Sequence, residues 1–429
     1  MSEQILITGG TVIDPTGERH ADVRIADGRV VAVADRLGPA DGDRVIDASG
    51  CVVSPGFVDL HTHLREPGKE EAETIETGSR AAAKGGYTCI VAMPNTDPTQ
   101  DSVSVVEFVR RQGEIAGLCD VRPSGSITIG RRGEQLSPLG ELAEAGVHLF
   151  TDDGDGVQDP LLMRRALEYA ADLGIVLAQH CEVKRLTEGA VMHEGDCCST
   201  FGLPGWPSIA EEMMVFRDIE LVRLTGAPVH ILHLSTARSV DLVRVAKADG
   251  LPVTAEATPH HISLTDELLA GYDSIYKVNP PLRTMVDVEA VRAGVADGTI
   301  DAIATDHAPH APETKEQPLD HAPPGMLGLE TALGVSLAHL DMPVAAVVAA
   351  LSWKPAAIAG VADDHGRPIA EGEPANITVF DPDETWQVVP AHLASKSRNT
   401  PFVGVELRGR VRHTILRGQL TVGDGTPRR

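Results

Sequence analysis

Aromatic residues make up only 3% of this 429-residue chain, and basic residues are outnumbered by acidic ones, 37 to 62. The net charge of -25 repels nucleic acid and anionic membranes, so neither is expected as a partner. No apolar run reaches the 18 residues that a membrane span needs, and the start Met1-Ser2-Glu3-Gln4 lacks a basic stretch leading into an apolar one. A cytoplasmic, soluble protein is the expectation. Cysteine is sparse: Cys51, Cys89, Cys119, Cys181, Cys197 and Cys198 form no Cys-x-x-Cys pair, and they read as reduced, small apolar residues. No Gly-x-Gly-x-x-Gly turn follows the first apolar strand, which removes the commonest reason for an open dinucleotide-binding sheet. Short repeats and low-complexity segments are absent as well.

What is present is a globular 42% of hydrophobic residues, distributed in two textures. The first 50 or so residues are short alternating strands with tight turns, such as Asp27-Gly28 between Val23-Arg24-Ile25 and Val30-Val31-Ala32-Val33. Residues 376–380, 404–409 and 411–418 repeat that texture at the far end. Neither end holds enough strands for its own core, so the two are expected to combine into one small β-sandwich domain. Between them, apolar runs alternate with amphipathic helical stretches, the α/β pattern of a parallel sheet. Eight runs fall at 52–60, 87–93, 121–127, 147–151, 175–179, 229–232, 253–257 and 300–305. Helices are expected at 71–84, 102–116, 160–173, 209–224 and 239–248. Eight strand–helix units fit a (β/α)8 barrel. The expected division is 1–53 and 366–429 for the two parts of the β-domain, and 54–365 for the barrel.

Chemically useful side chains gather where those strands end, the face on which barrel enzymes place their sites. Pro55-Gly56-Phe57-Val58-Asp59-Leu60-His61-Thr62-His63-Leu64-Arg65 ends a strand on two imidazoles at i and i+2, which share one side and suit a zinc-type ion. Asn95 follows the second run, Asp152-Asp153 the fourth, His180 the fifth, His233 the sixth and Asp306 the eighth. Four histidines and two carboxylates at one barrel mouth are enough for two metal ions. His148, His193, His260 and His261 are read as structural or rim residues.

The first-strand motif and Thr305-Asp306-His307-Ala308-Pro309-His310 resemble the amidohydrolase superfamily, specifically the cyclic amidohydrolases. Met93-Pro94-Asn95-Thr96, Glu182 after His180, Gly202-Leu203-Pro204-Gly205-Trp206-Pro207 and Asn279-Pro280-Pro281-Leu282-Arg283 are similar to class I dihydroorotases, and the likeness runs over essentially the whole chain. The resemblance implies zinc-dependent, reversible cyclisation of N-carbamoyl-L-aspartate to L-dihydroorotate in pyrimidine biosynthesis. It also implies the barrel with a β-domain built from both ends. By it, His61, His63 and Asp306 hold one zinc and His180 and His233 a second. Many relatives bridge the pair with a modified lysine after strand four; here Thr151-Asp152-Asp153 offers none, so Asp153 is the implied bridge and Asp152 the competing one. Asp306 is the implied catalytic base and acid. Substrate contacts carry over to His63, Leu64, Arg65, Asn95, Asn279, His310 and the Pro324-Gly325 backbone, although relatives often have an aromatic residue where Pro324 stands.

Residues 311–324, charged and proline-rich, are expected to form a loop that could act as a lid. Two other classes compete with this reading. A dihydropyrimidinase, hydantoinase or allantoinase would share the metal centre, but Arg65 argues for a substrate with a free carboxylate. A non-catalytic barrel that scaffolds a partner typically loses ligand positions, and here every one is filled. A homodimer and a transcarbamoylase partner are left open.

Overall fold

The computed structural model describes residues 4–428; residues 1–3 and 429, including most of the start read above for targeting, lie outside the described residues. Eight parallel strands form the barrel: Phe57–Thr62, Tyr87–Ala92, Asp120–Pro123, Leu149–Thr151, Val176–Gln179, Val229–Ile231, Val253–Ala257 and Ala302–Ile303. The first three pair in one parallel sheet and the other five in a second. Single bridges from Gly125 to Phe150 and from Thr62 to His307 join the two into a ring. Helices connect the strands, for example Pro160–Leu173 and Ile209–Thr225, which lie side by side.

The first apolar run splits in two. Val52–Pro55 belongs to the β-domain, paired antiparallel with Ile377–Gln387 and parallel with Thr11–Asp14. The barrel strand begins at Phe57, and Gly56 makes the crossing because a Cβ there would lie 2.2 Å from Thr88. Strands from both chain ends build one seven-stranded sheet, and a four-stranded sheet contributed by residues before 48 packs on it around Ile5, Ile7, Val23, Ile377 and Ile415. The C-terminal segments expected to break near Gly409 form one continuous strand, Glu406–Leu416. Gly409 takes φ +93, and the register with Ile377–Gln387 shifts close by. A bulge absorbs what the sequence suggests is a turn.

Two other boundaries move for visible reasons. The helix expected from 71 starts at Ile75, because the Thr74 hydroxyl caps it by accepting from the Thr77 amide. Glu73 is meanwhile drawn into the interior, where it accepts from the Lys396 amide at 2.9 Å and from the Ser395 hydroxyl. The eighth strand keeps only Ala302–Ile303: the buried Asp59 carboxylate takes the Thr305 amide at 3.1 Å in place of a ladder bond. The segment at 311–324 carries one short helix, Pro312–Lys315. All six cysteines are free, and among the described residues no helix is long and apolar enough to cross a membrane.

Candidate metal centre

At the carboxyl ends of the barrel strands, four predicted imidazole ligands converge on Asp153. Its carboxylate lies 3.3 Å from His61 Nε2, 3.4 Å from His63 Nε2, and 3.6 Å from both His180 Nδ1 and His233 Nε2. Asp306 Oδ1 stands 3.0 Å from His63 Nε2 and 3.5 Å from His61 Nε2. Two groups therefore have metal-holding spacing: His61, His63 and Asp306; and His61, Asp153 and His233. Of the adjacent aspartates, Asp153 faces the histidines. Asp152 turns away to accept from the Thr128 amide at 3.0 Å and from the Thr128 hydroxyl.

The ring orientations are fixed from behind. His61 Nδ1 donates to Glu256 at 2.8 Å, His63 Nδ1 donates to the Asn95 amide oxygen at 2.9 Å, and His180 Nε2 donates to Glu182 at 2.9 Å. Such bonds select the tautomer and leave the opposite nitrogen's lone pair for a cation. Glu256 is itself fully buried and takes a second imidazole, His230 Nε2, at 3.0 Å.

The donor set fits a metal. His61 Nε2 is buried without a hydrogen-bond partner, although two carboxylates face it. Burial would lower the His61 imidazole, yet the charges of Asp153 and Asp306 carry it well above its ordinary value. For His180, Asp153 and Glu182 override burial and raise it to about 9. Burial likewise works against ionised Asp153, and the surrounding imidazoles hold that carboxyl well below the usual range. The centre is a pocket of negative charge attracting protons where a cation would satisfy it. Strain marks the same place: Arg65, His233 and Asp306 sit at φ +65, +30 and +45, the left-handed region that side chains rarely adopt.

Above the ligands is a cavity of about 180 Å³ lined by Arg65, Asn95, Asn279, His310 and the Pro324-Gly325 backbone, with His63 at its floor. Leu64 is the one predicted contact not brought there; its side chain is buried in the core against helix Ile75–Lys84 at Gly78. Arg65 is 9% exposed, donates through Nε to Pro309 O at 3.0 Å, and has no carboxylate at salt-bridge distance among the described residues. Burial pulls its guanidinium down to about 10 while leaving it charged. His310 Nε2 donates to Pro324 O at 2.8 Å, and burial beside Arg65 lowers the ring to about 2, so it is neutral.

Several supports stand behind the wall of the cavity, among them His193 and His261, which the sequence reads as structural or rim residues. Arg283, 1% exposed, donates to Ser235 Oγ at 3.1 Å, Trp206 O at 3.0 Å and His193 Nδ1 at 3.1 Å. It ties the Gly205-Trp206 and Asn279–Arg283 motifs to the segment after His233. His261 Nε2 donates to Pro280 O at 3.0 Å beside Asn279. Lys277 reaches Leu319 O at 2.7 Å, and Lys315 reaches Pro323 O at 3.1 Å and Gly325 O at 3.3 Å, so the 311–325 loop is pinned from beneath. Glu256 and His61 lie 195 residues apart, and no local pattern announces such a pair.

Solved structures share this architecture: L-hydantoinase from Arthrobacter aurescens (TM-score 0.86, 23% identity, 100% of this chain and 97% of that one) and dihydropyrimidinase from Brevibacillus agri (TM-score 0.84, 23% identity, 99% and 96%). At that identity they establish the fold, a (β/α)8 barrel with a β-sandwich domain, which is the one expected from the sequence. A family described as dihydro-orotase-like matches residues 50–239. Dihydroorotase of Streptomyces coelicolor is 52% identical over 428 residues, 98% of each chain, and that of Mycobacterium tuberculosis 50% over 433 residues, 98% of this chain and 99% of that one. The chain belongs to the dihydroorotase family, and so to the metal-dependent cyclic amide hydrolases.

Proposed function

We propose that this chain interconverts N-carbamoyl-L-aspartate and L-dihydroorotate with two zinc ions, as a cytoplasmic enzyme of pyrimidine biosynthesis. The observation that carries the reading is the pairing of Asp306, set among metal-type ligands, with a buried Arg65 that lacks a carboxylate partner in the same cavity. His61, His63 and Asp306 would hold one zinc and His180 and His233 the other, with Asp153 between them. When bound, the metal pair supplies Lewis acidity that makes hydroxide available near neutral pH and polarises the ring amide carbonyl.

The chain's own residues do the rest. In ring opening, Asp306 takes the proton of the attacking water and delivers it to the ring nitrogen as the C–N bond breaks. In ring closure, Asp306 accepts the carbamoyl N–H proton as nitrogen attacks the side-chain carboxyl, and water leaves. Arg65 offers a planar fork to the substrate's ring carboxylate, and its low exposure strengthens that charge-assisted contact. Asn95 accepts from His63 through its oxygen, which leaves its NH₂ to donate into the cavity. Asn279 and the Pro324-Gly325 backbone complete the walls.

The carboxylate reader separates this from the hydantoinase reading, whose ring substrates carry no such group. The test is loss of dihydroorotate absorbance with zinc-loaded protein, run beside dihydrouracil and repeated after chelation. Turnover of dihydroorotate that chelation abolishes is expected. A preference for dihydrouracil would move the chain to the dihydropyrimidinase reading. A homodimer and an association with a transcarbamoylase belong to the same proposal, and co-purification from the native source tests the latter.

A further inference from the structure

The segment 388–405 joins the paired strands Ile377–Gln387 and Glu406–Leu416, yet it leaves their sheet and runs to the barrel mouth. From 393 to 399 its residues alternate like those of an extended strand. Leu393, Ser395, Ser397 and Asn399 are buried, while Lys396 and Arg398 are exposed. The buried polar members tie the segment to barrel loops: Ser395 Oγ donates to the Glu73 carboxylate, and Ser397 Oγ donates to Ala72 O at 2.7 Å. Asn399 is the member that reaches the wall of the active-site cavity.

Asn399 is 5% exposed, and its side-chain oxygen and both of its N–H bonds are engaged. Oδ1 accepts from the His310 amide at 3.1 Å. Nδ2 donates to Ala308 O at 2.9 Å and to Gly325 O at 3.2 Å. The need for such a group is written in the two loops it joins. They meet at a bridge between His307 and Met326, where the Ala308 amide donates to Met326 O at 2.8 Å. The ladder stops there, because Pro309, Pro323 and Pro324 have no N–H to give and Gly325 takes φ +138. Without Asn399, Ala308 O and the His310 N–H would go unpaired, and Gly325 O would keep only Lys315. A primary amide supplies one acceptor and two donors at once; a carboxylate or a hydroxyl does not.

We infer that Asn399 is a positioning residue for the wall that reads the substrate's carboxylate, acting through residues 308–310 and Gly325. The inference deepens the dihydroorotate reading and rests on it for the identity of the ring. Two of the expected substrate contacts stand on what Asn399 holds. The His310 ring donates to Pro324 O at 2.8 Å, and Asn399 fixes the backbone on both sides of that bond. Arg65 rests its Nε on Pro309 O at 3.0 Å, between the two residues of that segment that Asn399 bonds. Lys277 and Lys315 hold the 311–325 loop from beneath, through Leu319 O, Pro323 O and Gly325 O. Asn399 joins that loop to 308–310. The supports of the metal-facing imidazoles, Glu256, Asn95 and Glu182, lie on other segments, so metal binding should not depend on this amide.

The experiment compares the wild type with Asn399→Ala, Asn399→Ser and, as a control on the same segment, Ser397→Ala. It reads steady-state kinetics on dihydroorotate, zinc content, and amide exchange without substrate in peptides covering 305–311 and 323–328. Each hydrogen bond lost is worth about a two- to tenfold change, so Asn399→Ala should raise KM at least about tenfold. Because the wall binds the ring equally before and during reaction, kcat should stay within about threefold. Zinc content should match the wild type, and exchange in the two peptides should speed up by about tenfold or more. Asn399→Ser keeps a hydroxyl that can donate and accept once, and it should fall between; it carries the test if Asn399→Ala does not fold. Ser397→Ala loosens the same segment away from the wall and should leave KM unchanged.

Unchanged KM and exchange in both Asn399 variants would overturn the inference. So would a loss of zinc and kcat at constant KM, or an equal rise of KM in Ser397→Ala, which would mean general loosening of the segment. A wild type that turns over dihydrouracil and not dihydroorotate would overturn the reading of the ring instead. The exchange measurement, with KM taken on dihydrouracil, would then still decide the role of Asn399.

Discussion

The barrel mouth holds two regions of different construction. Its floor is a set of imidazoles and carboxylates at strand ends, three of the imidazoles held from behind by another side chain: His61 by the buried Glu256, His63 by the half-buried Asn95, His180 by the buried Glu182. Its wall, formed by Asn279, His310 and Pro324-Gly325, stands on loops fastened by charged side chains to backbone carbonyls: Arg283 to Trp206, Lys277 to Leu319, Lys315 to Gly325. The floor is fixed by side-chain pairs in the packed interior, and the wall by single ammonium and guanidinium groups gripping loops. On this account the floor carries the chemistry and the wall the choice of ring, so damage to the two should show in different measurements.

The largest effect should come from the floor. Asp306→Asn keeps the shape but cannot take up the proton, so turnover should fall by at least about 10²–10⁴-fold. Near-normal turnover in that variant would mean that the proton goes elsewhere and would erase the distinction between the regions.

Arg65 sits between floor and wall, and its replacement sharpens the comparison. Arg65→Met removes a charge-assisted contact worth on the order of 1.5–3 kcal/mol, so activity on dihydroorotate should drop roughly 10- to 150-fold. Trace activity on dihydrouracil should barely change, since that ring has no carboxylate. Equal losses on both rings would make Arg65 a support of the metal centre.

The smallest effect should come from beneath the wall. Burial, with Lys277 nearby, pulls the Lys315 ammonium from 10.5 down to about 7. Its folded-state value is depressed, so between about pH 7 and 10.5 the unfolded chain binds the proton more strongly than the folded one. This group's contribution to stability therefore rises with pH across that window and is flat below it. Lys315→Met should flatten that part of the Tm against pH curve. An unchanged slope would show that Lys315 is not buried beside Lys277 as the structure places it.

The same contrast governs what the sequence discloses. The floor is legible because His-x-His puts two imidazoles on one side at the end of the first barrel strand and Thr-Asp-His places a carboxylate just past the last one. Spacing could not choose between Asp152 and Asp153; the choice depends on Thr128, 24 residues away, which takes Asp152. Glu256 and His230 are legible only once the barrel is closed, since they act across neighbouring strands. Leu64 follows His63 in sequence, but past the strand's end its side chain turns into the core against Gly78 of helix Ile75–Lys84. Gly56 hides a domain boundary inside one apolar run, because both flanking strands are equally buried.

The most direct test of the account is a zinc count by elemental analysis on wild type, Asp153→Ala and Asp152→Ala after zinc-replete purification. The account predicts close to two zinc per chain in the wild type, joint loss of metal and activity in Asp153→Ala, and both metals kept in Asp152→Ala. One zinc or fewer in a fully active wild type, or the reverse pattern between the two aspartates, would contradict it.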